Sequence, residues 1–402
     1  MRLLRSSSTG VWVVALVAGV LTQRPFGAGD IAAQGAAPAT ATQGAPTVGR
    51  GAAVPAPIVV SPEVLPDRRV VFRLLAPQAT DVALRGPGRG APPMAKGSNG
   101  VWETTVGPLA PGVYSYSFGV HSANVLDPNN QAVNETTTGL RNIVVVPGAE
   151  WTDMKNVPHG AVAEAYYDSS VLGRQRRLHV YTPPSYGAGN ERYPVFYLLH
   201  GSGDSDQSWS ALGRAGVILD NMIAAGRAKP MIVVMPAGHT RPDGQATPES
   251  RMEFVHEFLA DIMPFVQKHY RVRAERSGRA IAGLSMGGGQ TLNIAVPNLD
   301  KFAYVGVFSA GLSGGGAGQP SAVDAWETQN KAALDNAGLK KGLKLVWFST
   351  GKDDPAMPNT MNAVNLLKKH GFTPVFQESQ GAHTWENWRD YLVIFGGQLF
   401  RD

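Results

Sequence analysis

A serine hydroxyl is a weak nucleophile until a base removes its proton, so a chain using one must bring serine, base and acid together. Gly283-Leu284-Ser285-Met286-Gly287 is a G-x-S-x-G segment that runs on through Gly288 and Gly289. A tight strand-to-helix turn needs such glycines, because Cβ atoms there would clash, and the turn lifts the serine hydroxyl to the edge of a sheet. Where a nucleophile sits on this turn, the acid and then the histidine follow it along the chain. Of nine histidines, His370 and His383 lie beyond Asp354. His370 ends an amphipathic helix just before Gly371, where a cation suits the helix dipole. His383 stands in Gln380-Gly-Ala-His383-Thr-Trp385, a loop after an expected strand over 375–379, and is assigned as the base. Thr350-Gly-Lys-Asp353-Asp354-Pro355 supplies the acid as the chain leaves another strand. Adjacent residues point differently, so one aspartate holds the imidazole and the other caps or faces water; the local residues leave the choice open.

The oxyanion of a tetrahedral intermediate needs backbone N–H donors, and the residue after the nucleophile, Met286, provides one. The second belongs to the loop His200-Gly201-Ser202-Gly203 after an expected strand ending at Leu199. His200 precedes the nucleophile and is read as a brace for that loop, not as the base. Trp209, Trp385 and Trp388 fall in loops expected at the same sheet edge, where aromatic walls would receive a phenolic or sugar-bearing ester as substrate-binding residues. No His-Glu-x-x-His pattern or carboxylate cluster points to a metal, and no cofactor is expected.

The elements that must position these groups follow from periodicity. Short continuous apolar runs at 193–199, 230–235, 279–282 and 343–348 read as strands buried on both faces. Helices are expected over 217–225, 254–270, 290–295 and 361–370. Strands alternating with helices predict an α/β domain from about 162 to 402 with a mostly parallel sheet. Residues 58–147 read differently. Val70-Val-Phe-Arg-Leu74, Val101-Trp-Glu-Thr-Thr-Val106 and Tyr114-Ser-Tyr-Ser-Phe118 alternate with period two between turn signals, which predicts a small antiparallel sandwich. It carries no grouped acid, base and nucleophile. Its segment from His121 to Gly139 is polar, without strand period, and is expected to be a long loop that lines the substrate entrance. Residues 148–161 form a short connection.

Two resemblances sharpen this reading. Arg279-Ala-Ile-Ala-Gly-Leu-Ser-Met-Gly-Gly-Gly-Gln290, continued by Asn298-Leu-Asp-Lys-Phe-Ala-Tyr304, resembles the esterase D group of α/β-hydrolases, particularly feruloyl esterases of carbohydrate esterase family 1. The resemblance runs from about Ala163 to Phe400. It implies an α/β-hydrolase fold, Asp354 as the acid three residues after the strand-end glycine, and His383 as the base with Trp385 and Trp388 following. It also implies Ser202 as the second oxyanion donor, with Gly203 its neighbour. Phe72-Arg-Leu-Leu-Ala-Pro77, Gly100-Val-Trp102, Gly107-Pro-Leu-Ala-Pro111 and Leu126-Asp-Pro-Asn129 resemble the immunoglobulin-like carbohydrate-binding module family 48. Glycan binding and simple packing on the catalytic domain are both compatible with that likeness.

Composition sets the outer limits. With 43% hydrophobic and 17% charged residues the chain can bury a large core, which excludes a disordered or fibrous protein. A net charge of +5 without a basic run gives no reason to expect nucleic acid. The absence of cysteine removes thiolate chemistry and disulfides. Arg2 and Arg5 precede an apolar run from Val11 to Leu21, too short at about 1.5 Å per residue to span about 30 Å of bilayer. Residues 1–33 are therefore expected to be a signal peptide and 34–57 an Ala/Pro/Gly tether. The expectation is a secreted or periplasmic serine esterase that leaves the membrane after cleavage, its oligomeric state open. The family resemblance implies feruloyl esters of a plant polysaccharide or oligosaccharide such as arabinoxylan as substrate. Alternatives are an acetyl-xylan esterase, an enterochelin-type siderophore esterase, an acyltransferase, and a non-catalytic carbohydrate-binding protein.

Overall fold

The computed structural model describes residues 57–401, except 88–89, 242–243, 245–246 and 313–321. The expected signal segment and nearly all of the tether lie outside the described residues. Pro57–Asp402 make one compact unit, with an all-β region at the start and an α/β sheet after it.

Among the described residues the all-β region contains nine strands: β1 (Glu63–Val64), β2 (Val70–Leu75), β3 (Val82–Arg85), β4 (Ala95–Lys96), β5 (Val101–Val106), β6 (Gly112–Val120), β7 (Ala123–Val125), β8 (Val133–Thr136) and β9 (Gly139–Val146). They pair antiparallel in two sheets, β1-β2-β5-β4 and β3-β6-β9-β8, with β7 added to β6. Alternation drives the packing. Val70, Phe72 and Leu74 of one sheet meet Leu84, Tyr116, Phe118 and Val144 of the other in a single core. The segment from His121 to Gly139 is not the unstructured loop its polarity suggested. It holds β7 and β8, whose side chains are mostly exposed or half-buried and so carry no apolar alternation to read.

The sheet of the α/β region has, among the described residues, eight strands: β10 (Ala161–Ser169), β11 (Arg174–Thr182), β12 (Val195–Leu199), β13 (Ile232–Pro236), β14 (Arg279–Leu284), β15 (Tyr304–Phe308), β16 (Leu345–Gly351) and β17 (Val375–Ser379). Their order is β10-β11-β13-β12-β14-β15-β16-β17. The β10–β11 and β11–β13 ladders are antiparallel, and every ladder from β13–β12 to β16–β17 is parallel. The helices are α1 (Ser208–Ala211), α2 (Ala215–Ala224), α3 (Pro248–Glu257), α4 (Met263–His269), α5 (Met286–Ala295), α6 (Ala322–Leu334), α7 (Ala337–Lys340), α8 (Met357–Lys369) and α9 (Trp385–Gly396).

Both faces of the sheet are covered, so its central strands are apolar throughout. On one face Phe196, Leu198, Ala282 and Phe308 pack on Ile218 and Leu219 of α2 and on Tyr391 and Phe395 of α9. On the other, Val195, Tyr197, Leu199 and Ile281 pack on Phe254, Phe258 and Val266. The expected helix over 254–270 is interrupted: a π-helical turn at Phe258–Ile262 joins α3 to α4. This is the expected α/β-hydrolase arrangement preceded by an all-β region. The connection between them is fastened down, since Asn221 Nδ2 of α2 donates to Trp151 O at 2.8 Å and Arg214 Nε to Thr152 O at 2.7 Å.

Candidate active site

Ser285 stands between β14 and α5 with φ 51° and ψ −115°, a conformation that L-residues rarely hold. Neighbouring glycines make it possible. A Cβ on Gly283 would lie 2.4 Å from the Gly287 carbonyl, and one on Gly287 would lie 2.6 Å from the His200 carbonyl. The helix begins at Met286, four residues earlier than periodicity indicated, because a glycine-rich first turn has no apolar stripe.

His383 joins the serine from the β17–α9 loop. Its Nε2 is 3.0 Å from Ser285 Oγ, and its Nδ1 is 2.9 Å from Asp354 Oδ1 and 3.1 Å from Oδ2. A carboxylate only accepts, so Nδ1–H donates to Asp354 and Nε2 is left to accept from the serine hydroxyl. The loop is held by Asn387 of α9, whose Nδ2 donates to Gln380 O at 2.6 Å and Ser379 Oγ at 2.9 Å.

The two aspartates separate clearly. Asp353 is exposed, while Asp354 is 3% exposed and also accepts from the Ala356 N–H at 2.8 Å. Burial opposes the charge on Asp354, but hydrogen bonds from His383, Ser309 and the Ala356 N–H outweigh it and hold the carboxyl below its ordinary range. Ser309, at the end of β15, was not singled out in the sequence. It links Asp354 to Trp388, whose Nε1–H donates to Ser309 Oγ at 3.0 Å. Its only signal was position: a polar residue at the carboxyl end of a parallel strand.

A cavity of about 360 Å³ opens over Ser285, lined by Gly201, Ser202, Asp204, His383, Thr384 and Trp385 among others. A larger hollow of about 620 Å³ on the all-β region is lined by Val59, Pro62, Asn130 and neighbouring residues that include no titratable side chain. Chemistry therefore belongs to the smaller one. Ser202 is exposed at its rim and Met286 begins α5 beside it, where the first helical N–H groups have no intrahelical partner. His200 is buried. The Gly238 N–H donates to its Nε2 at 2.8 Å, so its proton is on Nδ1, which donates to Gly201 O at 2.8 Å. Burial pushes this imidazole down to about 4, and the neutral ring braces the loop as expected.

The tryptophans divide. Trp385 is half-buried on the cavity wall, on a helix and not in a loop. Trp388 also lines the cavity, but it is 6% exposed and its ring meets the His383 ring at 90° with centroids 5.0 Å apart. Trp209 does not reach the cavity. It lies in α1, fully buried, with Nε1–H donating to Leu199 O at 3.0 Å, so its expected substrate contact is replaced by core packing. Asp204 is a cavity residue that the sequence reading passed over; burial pushes its carboxyl up to about 6. Among the described lining residues none comes from 121–139, so the expected entrance loop is not found there. Its strand β8 lies against residues 203–208 instead.

A model of the Esterase family matches residues 169–394, a span that holds Ser285, Asp354 and His383. The chain belongs to the Esterase family. Among curated relatives of this esterase, an endo-1,4-beta-xylanase/feruloyl esterase of Xylanibacter ruminicola is 32% identical over 346 residues, covering 82% of this chain and 44% of that protein. Endo-1,4-beta-xylanase Y of Acetivibrio thermocellus is 30% identical over 239 residues, 54% of this chain and 21% of that protein. The chain thus spans less than half the length of either. The ferulic acid esterase of Anaeromyces mucronatus, solved with ferulic acid, matches with TM-score 0.54 and 25% identity over 63% of this chain and 96% of that one. The enterobactin esterase of Shigella flexneri shares the fold at TM-score 0.59 and 16% identity, over 83% of this chain and 93% of that one.

Proposed function

We propose that this chain is an exported serine carboxylic-ester hydrolase that removes hydroxycinnamoyl groups such as feruloyl from plant polysaccharide. The observation that carries the chemistry is the line from Asp354 through His383 to Ser285, at 2.9 and 3.0 Å. In this reading His383 Nε2 takes the Ser285 proton as Oγ attacks the ester carbonyl, then returns it to the leaving alcohol. Asp354 holds the imidazole tautomer and stabilises the imidazolium. The N–H groups of Met286 and Ser202 receive the oxyanion. Water, activated by the same histidine, releases the acid from Ser285.

The half-buried Trp385 gives the cavity an aromatic wall, and proteins named feruloyl or ferulic acid esterases are similar to the chain. Export rests on the Arg2, Arg5 and Val11–Leu21 pattern. Glycan capture by the all-β region has less behind it, because Phe72, Trp102, Tyr116 and Phe118 all lie in its core. Incubation with feruloylated arabinoxylan and acetylated xylan, followed by chromatography, tests the proposal. Ferulate release that is lost in Ser285→Ala supports it. Acetate release without ferulate replaces the acyl group, and release of neither in the folded protein overturns it.

A further inference from the structure

The all-β region reaches the candidate active site through one strand. Thr136 of β8 forms an isolated antiparallel bridge with Asp204, and the Thr137 N–H donates to Gly203 O at 3.3 Å. Glu135 is held through its N–H, its carbonyl and its carboxylate. Its N–H donates to Gln207 Oε1 at 2.8 Å, and its carbonyl accepts from Ser205 Oγ and Ser208 Oγ, each at 3.2 Å. Its carboxylate pairs with Arg177, whose guanidinium also clasps Asp206 through two hydrogen bonds of 2.8 Å. His179 Nδ1 adds a third contact to Asp206 at 2.8 Å. Burial disfavours the Asp206 charge, but hydrogen bonds from His179 and Arg177 outweigh it and hold the carboxyl at about 2.

These contacts all fall on the segment that follows Ser202. On its other side the same loop is held by His200, through Gly201 O and the Gly238 N–H. Ser202 itself is exposed and sits between the two sets of ties. An oxyanion donor works only if it is already in place when charge develops, within about 0.5 Å. The loop over 200–207, between β12 and α1, is thus tied on both sides of Ser202.

We infer that β8 clamps the oxyanion loop and that Glu135 is a positioning residue for ester hydrolysis, acting through residues 203–208 on the Ser202 N–H. The inference rests on the esterase reading proposed above. It gives the all-β region a role in turnover that needs no glycan contact.

The test uses the full chain with Gln207→Ala, which removes the acceptor for the Glu135 N–H, and Glu135→Gln, which loosens Arg177 and leaves the backbone alone. With p-nitrophenyl acetate, kcat is expected to fall about tenfold with KM held within about twofold, a part of the 10²–10³ that loss of a whole donor costs. Affinity for phenylboronic acid, whose serine adduct is tetrahedral, should weaken in parallel, and Gln207→Glu should restore much of both. Unchanged kcat and boronate affinity in the folded variants would show that β8 merely docks, and overturn the inference. Should Gln207→Ala not fold, Glu135→Gln alone decides, since its side chain is 37% exposed and tolerates the change. Ser285→Ala separates the two failures. If it stays active, the esterase reading is wrong; if it is dead while the β8 variants match the parent, only the clamp is.

Discussion

Trp209 and Trp385 meet edge to face, ring centroids 5.1 Å apart at 81°, yet only Trp385 borders the cavity. Replacing them should therefore produce opposite phenotypes. Trp209→Ala removes a fully buried ring and its bond to Leu199 O, and is expected to cost about 3–5 kcal/mol of stability. Trp385→Ala should leave the thermal midpoint within a few degrees while raising KM for a feruloyl ester several-fold. Calorimetry beside steady-state kinetics on both variants checks this.

The aspartate pair gives a second test. Asp354→Asn keeps the shape but offers His383 the wrong partner, and a loss of about 10⁴ in kcat is expected. Asp353→Asn, on an exposed carboxylate, should change kcat less than about twofold. A large loss at Asp353 instead would move the acid to that residue.

The backbone at Ser285 stores strain that catalysis uses and folding does not. Ser285→Gly relieves a φ of 51°, so the free energy of unfolding should rise by about 1–3 kcal/mol. Activity should fall by roughly 10⁴-fold or more in the same protein. A Ser285→Gly variant less stable than the parent contradicts the strain argument.

Asp204 predicts a pH effect whose sign is fixed. Burial raises its carboxyl from 3.8 to about 6, so between those values the folded chain binds more protons than the unfolded one. Its contribution to stability therefore falls as pH rises from about 4 to about 6, and stays reduced above that. Asp204→Asn carries no charge to desolvate. It should be more stable than the parent at pH 8, on the order of 1–3 kcal/mol, and gain little at pH 4. Denaturant titrations at the two values measure it.

How far the sequence could be read depended on range. The turn at Ser285 was legible because its glycines answer contacts only a few residues away, Gly283 against Gly287. His383 followed from chain order. Asp354 could be separated from Asp353 only by likeness to other chains, since what distinguishes them is burial against β15 and Ser309. Trp209 was misplaced because a buried indole and a wall indole look alike in a short polar stretch. Strand β8 was missed for a different reason. What stabilises it is hydrogen bonding to residues about seventy positions later, such as Glu135 to Gln207, and pairing of that kind leaves no local periodicity.

The bridge between Thr136 and Asp204 also bears on whether the two parts could be separated. Modules joined only by a tether can be exchanged by recombination, each keeping its own function. Here the seam runs along the loop proposed to hold the oxyanion, so transplanting the α/β sheet region without β8 would leave that loop's partners behind.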